Sequence, residues 1–242
     1  MQKPKMILFD YGQTLIDEKQ FNVLKGDEAV LKITTKNPDR VNAEKLQEQA
    51  DKIFHEIENI QSIKRDRQLL EISCEAFDTY LYESLGLEFD VDMEEVQYVF
   101  WKNATLHQAV PTEGIERLLD YLWKNEIRTA VVSNMMNSSK LLKRRIDELL
   151  PNNHFEFFLS SNSYLFRKPH PFIFEMEVRK AKLNPEEIWF CGDNLTCDIE
   201  GSFCAGMKPV FYPTYIDGEY GAKTNVPYME IRCWDELIEI LK

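Results

Sequence analysis

The segments FDYGQTL (9–15), VVSN (131–134), FRKPHP (166–171) and GDNLTCD (192–198) hold the residues best suited to chemistry. Asp10 and Asp193 each follow a short apolar run and precede a turn, a position where an aspartate alone is an ordinary turn former. Brought together, the two carboxylates repel each other, and a hard divalent cation with oxygen ligands, Mg²⁺ above all, satisfies the pair. Asp198 begins the next helical pattern, where it can hold a metal-bound water or orient a neighbouring group. Lys168 precedes a proline that fixes its backbone. Aimed into the same place, its ammonium balances carboxylate charge and attracts phosphate. Ser133 and Asn134 add a hydroxyl, an amide and backbone N–H groups suited to phosphate oxygens. Each residue is unremarkable alone; their order, strand position and chemistry agree as a set.

These residues can converge only if the intervening chain delivers them to one edge. KMILF (5–9), IRTAVVSN (127–134), FEFFLSS (155–161), EEIWFCGDN (186–194) and KPVFYP (208–213) are short apolar runs that read as buried strands. Helical patterns separate them: TEGIERLLDYLWKNE (112–126, Thr112 as N-cap), SSKLLKRRIDELL (138–150, with a serine cap), PHPFIFEMEVRKAKL (169–183), CDIEGSFCAGM (197–207) and WDELIEIL (234–241). Continuous rather than alternating strands, joined by helices, predict a three-layer α/β core with a mostly parallel sheet. Ligands in such sheets bind beyond the carboxyl ends of the strands, where Asp10, Ser133, Asn134 and Asp193 fall.

Residues from about 16 to 105 have another rhythm. EKLQEQADKIFHEIENI (44–60), RQLLEISCEAFDTYLYESLG (67–86, closed by Gly86) and DMEEVQYVFWKNA (92–104) read as helices, with no convincing strand among them. The expected organisation is a core of 1–15 and 106–242 interrupted by an all-helical insert, 16–105.

Composition sets outer limits. The chain has 242 residues, 44% of them apolar and 29% charged, and a net charge of −12, which disfavours non-specific binding to nucleic acid. No apolar run is long enough to span a membrane, and the N-terminus reads directly into MILFD, so a cytoplasmic protein is expected. The five cysteines show no C-x-x-C pattern and read as reduced thiols. His55, His107, His154 and His170 lack zinc-ligand spacing. The KLLKRR cluster (140–145) reads as a solvated helix face. A monomer and a homodimer are both compatible with the sequence.

FDYGQTL, VVSN, RKPHPFIF and GDNLTCDIEG, in this order and followed by FCAGMKPVF, resemble the haloacid dehalogenase-like hydrolase superfamily, in its branch with a helical cap after the first motif. The resemblance spans nearly the whole chain. It implies a Rossmann-like core, with Asp10 as a nucleophile that forms an aspartyl-phosphate. It further implies Mg²⁺ held by Asp10, Asp193 and the Gly12 backbone carbonyl, with Asp198 supporting the metal shell. Ser133 and Asn134 would bind phosphate, Lys168 would steady nucleophile and phosphate, and the insert would close over a small phosphorylated metabolite.

The first motif is atypical. Phosphatases of this family carry a second aspartate two residues after the nucleophile, as general acid and base, where this chain has Gly12. Loss of such a group costs roughly 10²–10⁴-fold in the step it serves. The dehalogenase branch also lacks that aspartate, but reads Asp-x-Tyr-Gly-Thr, whereas this chain reads Asp-Tyr-Gly-Gln-Thr. A dehalogenase needs no Mg²⁺, yet the acidic pattern of GDNLTCD is intact. The leading expectation is therefore a Mg²⁺-dependent phosphohydrolase, weakened at Gly12. A member that binds phosphorylated ligands or proteins without turnover and a metal-independent 2-haloacid dehalogenase stay open as alternatives.

Overall fold

The computed structural model describes residues 3–18, 21–61, 69–105, 109–213 and 224–242. Strand β1 (Met6–Phe9) is buried along its whole length. Met6 and Leu8 enter one hydrophobic cluster while Ile7 and Phe9 enter another, so both faces of the strand are covered. That explains why its sequence does not alternate with polar residues.

The chain then forms β2 (Ile16–Asp17) and enters the insert: α1 (Val23–Leu31), β3 (Thr34–Lys36), α2 (Ala43–Gln61), α3 (Cys74–Ser84), β4 (Glu88–Phe89) and α4 (Met93–Ala104). The insert is helical, as expected, with one addition: β3 and β4 pair antiparallel. Its helices share a core of their own, which includes Val30, Leu46, Phe77, Leu81 and Val96. The predicted helix over 67–86 starts only at Cys74, because Ser73 caps it by accepting from the Ala76 N–H. It ends as anticipated at Gly86, whose φ of 66° closes the last turn. The Leu87 N–H bonds the Tyr82 carbonyl and the Gly86 N–H bonds that of Glu83.

The return strand β5 (Val110–Pro111) pairs antiparallel with β2, so Ile16 and Asp17 stay with the sheet domain, and Ile16 packs into its core. Then follow α5 (Ile115–Lys124), β6 (Arg128–Ser133), α6 (Ser139–Leu149), β7 (Phe158–Ser160), α7 (Ser161–Tyr164), α8 (Pro171–Ala181), β8 (Ile188–Gly192), α9 (Gly201–Cys204), β9 (Lys208–Phe211), β10 (Met229–Glu230) and α10 (Trp234–Leu241). The six-stranded sheet runs β10-β9-β8-β1-β6-β7 with every pair parallel. Helices and buried clusters on both faces make the three-layer α/β core, Rossmann-like with an inserted helical cap.

Three local expectations need correction. Thr112 does not cap α5; Gly114 occupies the N-cap, and the Thr112 hydroxyl instead donates to the Thr14 carbonyl at 2.8 Å. Residues 195–200 form a π-helical segment before α9 rather than a regular helix from Cys197. The KLLKRR cluster is not wholly solvated: Arg145 is buried and pairs with Glu18 at 2.9 Å. His107 lies outside the described residues.

Candidate active site

The register of β8, β1 and β6 decides the geometry. They are adjacent and parallel, so their carboxyl ends deliver Asp193, Asp10 and Ser133–Asn134 to one edge. The Asp10 N–H extends the ladder by bonding the Cys191 carbonyl at 2.9 Å. The carboxylates of Asp10, Asp193 and Asp198 can each present an oxygen within 4.8 Å of the others. Asp198 reaches this cluster because β8 ends in Gly192, where a Cβ would strike its carboxyl group. The Asn194 N–H holds the Asp198 Oδ2 at 3.0 Å.

Lys168 crosses the site from the loop before α8. Its Nζ donates to Asp10 Oδ1 at 2.7 Å, to Asp198 Oδ1 at 2.6 Å and to the Val132 carbonyl at 3.2 Å. Burial works to lower the pKa of this ammonium, but the two carboxylates outweigh it and the net direction is up. Burial pushes Asp10 the other way, up to about 6, with Lys168 opposing and Asp198 reinforcing the rise.

Asn134, expected against phosphate, has its side chain engaged elsewhere. Its Nδ2 donates to the Lys168 carbonyl at 2.8 Å and its Oδ1 accepts the Lys168 N–H at 2.7 Å. It therefore fixes the lysine's backbone. Ser133 ends β6, buried beside it. Sequence reasoning overlooked Glu177 on α8, which is fully buried, with both oxygens lacking a partner among the described residues. Burial raises its pKa well above the usual carboxylate value, with Lys168 opposing the rise. The available signal was a glutamate in line with the apolar positions Ile173, Phe174 and Ala181.

The turn after Asp10 is tight, with the Leu15 and Ile16 N–H groups both bonding the Tyr11 carbonyl at 3.0 Å. Its left-handed residue is Gln13, with φ of 59°. Gly12 lies outside that backbone region, and a Cβ built on it would meet nothing within 4 Å. Glycine at 12 is thus required neither by the backbone nor by crowding.

The cluster suits a divalent cation. All its donors are carboxylate oxygens, and of the three groups Asp10 and Asp198 share one ammonium, that of Lys168. Burial is the main reason that the Asp10 pKa rises to about 6, and the Asp198 carboxylate adds to it.

The Haloacid dehalogenase-like hydrolase family model matches residues 7–212. Glyceraldehyde 3-phosphate phosphatase of Pyrococcus furiosus is 26% identical over 168 residues, 67% of this chain and 68% of that protein. Haloacid dehalogenase-like hydrolase domain-containing protein 3 of Mus musculus is 33% identical over 99 residues, 39% of this chain and 37% of that protein. Among solved structures, a 2-haloacid dehalogenase from Pseudomonas syringae pv. Tomato DC3000 shares the fold with a TM-score of 0.62 and 21% identity, covering 100% of this chain and 98% of that one. With the matched region running from β1 to the end of β9 and its acidic edge intact, the chain belongs to the haloacid dehalogenase-like hydrolases.

Proposed function

We propose that the protein is a Mg²⁺-dependent phosphohydrolase of a small phosphorylated metabolite, acting through an aspartyl-phosphate at Asp10. The observation that carries this reading is Lys168 bridging Asp10 and Asp198 beside a third carboxylate, Asp193. Displacement of halide would leave that extra negative charge without use. The phosphatase relative from Pyrococcus furiosus supports the same choice, whereas the likeness to a dehalogenase is one of fold alone.

Asp10, Asp193 and the Gly12 carbonyl would hold the cation, with Asp198 in support, and when bound it would offset negative charge on the phosphoryl oxygens. Lys168 keeps Asp10 ionised and fixes its Oδ1. An Asp10 oxygen attacks phosphorus as the bond to the leaving oxygen breaks. The Ser133 hydroxyl and neighbouring backbone N–H groups would receive the non-bridging oxygens. Asn134 acts through the Lys168 backbone rather than on phosphate. With Gly12 in place of a carboxylic acid, the departing alkoxide takes its proton from water. Leaving groups of low pKa should therefore react best. Water then attacks phosphorus, releasing phosphate and restoring Asp10.

The test is phosphate release from p-nitrophenyl phosphate with Mg²⁺, with chelator, and with Asp10→Asn as blank. Release that needs both Mg²⁺ and Asp10 is expected. No Mg²⁺-dependent release from this ester or from a panel of metabolite phosphates would overturn the reading. Gly12 favours one second reading, a phosphoryl-ligand binder without turnover. Calorimetry giving tight binding with no product over hours would support it.

A further inference from the structure

Inside the insert, where its four helices face the sheet domain, lies a cavity of about 250 Å³. At about 30 Å³ per water, that is room for roughly eight waters, or one small organic group. Phe54, Phe77, Phe100 and Trp101 wall it, and Met136 and Asn137 line it from the loop after β6. Two of its lining residues adjoin the segments that carry the catalytic edge. Asn137 is three residues past Asn134, and the Trp101 ring meets Tyr11, next to Asp10, edge-on at 5.8 Å.

Two carboxyl groups and a glutamine stand out among the polar groups that line it, beside the Asn137 amide and the Tyr82 hydroxyl. Asp27 of α1 and Asp78 of α3 line it and are 4% and 9% exposed. Gln47 of α2 also lines it, and its Oε1 is buried with no partner among the described residues, while its Nε2 donates to Asp51 at 2.7 Å. Burial first, then Asp78 and Asp51, push the Asp27 carboxyl up to about 7; every influence on it has the same sign. Asp78 is raised by burial to about 6, although it accepts from the Cys74 thiol at 3.0 Å. The aromatic chamber thus holds three acceptors, and among the described residues that line it there is no cation to satisfy them. Buried carboxyls in that state are costly unless a ligand supplies charge and donors.

We propose that this cavity receives the leaving-group end of the substrate and selects a small phosphorylated primary amine. The ammonium would lie among Asp27, Asp78 and Gln47, with its hydrocarbon body on the aromatic rings. The phosphate end alone rests on the phosphohydrolase reading. A neutral apolar group would leave the acceptors unmet, and a quaternary ammonium would bring charge without N–H donors. A primary ammonium brings three donors and a charge that aromatic faces also attract. A metal ion fits less well, because Asp10, Asp193 and Asp198 are the carboxylate trio grouped for a metal among the described residues.

Binding without turnover tests the assignment. Titrate 2-phenylethylamine and, separately, its neutral counterpart 2-phenylethanol into the wild-type chain by calorimetry, and repeat both with Asp27→Asn and Asp78→Asn. Charge-assisted hydrogen bonds of ordinary strength predict about tenfold or greater preference for the amine in the wild type, and loss of that preference in the variants. Equal affinity for the two compounds, or no binding of either, overturns the proposal. So does a preference that survives both substitutions. The wild-type comparison stands even if a variant fails to fold. Amine preference without Mg²⁺-dependent phosphate release would leave the cavity assignment in place and remove the hydrolase. Release without amine preference would do the reverse.

Discussion

Gly12→Asp should restore activity, and the structure supplies the reason to expect it without damage to the fold. The Gly12 backbone is outside the left-handed region, and its Cβ position is open to 4 Å. The substitution therefore brings neither backbone strain nor a clash, and removing a glycine lowers the entropy of the unfolded chain by about 0.4–1 kcal/mol. Set against this, a further carboxylate joins an edge that already carries Asp10, Asp193 and Asp198, so apo stability should change little or fall slightly. The gain lies in the chemical step. A positioned general acid and base contributes roughly 10²–10⁴-fold, felt fully by an alkyl ester and weakly by p-nitrophenyl phosphate, whose leaving group needs little protonation. The ratio of alkyl to aryl turnover with Mg²⁺ should thus rise by about 10²-fold, the low end of that range, less whatever the aryl ester also gains. Gly12→Ala is the control, since it fills the same space without an acid and should leave the ratio alone. An unchanged ratio in a folded Gly12→Asp protein would refute the argument that position 12 limits proton transfer.

Lys168→Met should lower turnover by about 10²–10³-fold, as loss of a preorganised cation does. With Lys168 only 2% exposed, it should also destabilise the metal-free protein by about 3–5 kcal/mol, less whatever Asp10 recovers by holding a proton; wild-type rates would defeat the role assigned to it. Gln13→Gly should stabilise by about 1 kcal/mol, because Gln13 combines φ of 59° with a buried Oε1 that lacks a partner among the described residues. A lower urea midpoint would contradict this. Asp27→Asn should flatten the pH dependence of stability in the absence of ligand. The Asp27 carboxyl rises from 3.8 to about 7 on folding, so its contribution is complete below about pH 4 and is lost as pH climbs to about 7. Wild-type and variant melting curves that stay parallel across that window would count against a buried, protonated Asp27.

Much of the fold was legible because the signals were local. The strands are unbroken apolar runs separated by helices, which points to a parallel sheet, whereas their order, with β1 between β8 and β6, was not read. The acidic edge was legible for the same reason, since Asp10 and Asp193 end parallel strands. Helix α1 was not read, because Gly26 and Asp27 interrupt its pattern. Gly26 lies where a Cβ would come within 2.7 Å of the Phe100 ring, so the irregular residue is what lets α1 approach α4. Asn134 and Thr112 were given plausible local roles, yet their side chains serve partners distant in sequence, the Lys168 backbone and the Thr14 carbonyl. Arg145 looked solvated beside its basic neighbours, and only the path of the insert brings Glu18 to it.

That last pairing connects the insert to the chemistry. Glu18 lies on the chain's way into the insert and Thr105 on its way out. The Glu18 carboxylate accepts from Thr105 at 2.9 Å, from Arg145 at 2.9 Å and from the Tyr11 hydroxyl at 3.0 Å. Both crossings are thereby tied to the residue next to Asp10. Arg145 and the Glu18 side chain are 5% and 8% exposed, so separating them would leave buried charge unpaired, at a cost of about 3–5 kcal/mol. A second fastening joins Glu71 of the insert to Ser161 and Arg167, the residue before Lys168. Here the Glu71 side chain is buried too, at 2%, but that of Arg167 is 36% exposed, and water can replace part of what the cation loses. The two fastenings therefore differ in how far water reaches the cation. Opening of the insert should proceed by release at Glu71, with the Glu18 network held as the pivot. The turn that positions Asp10 would then keep its shape while the path to it opens and closes.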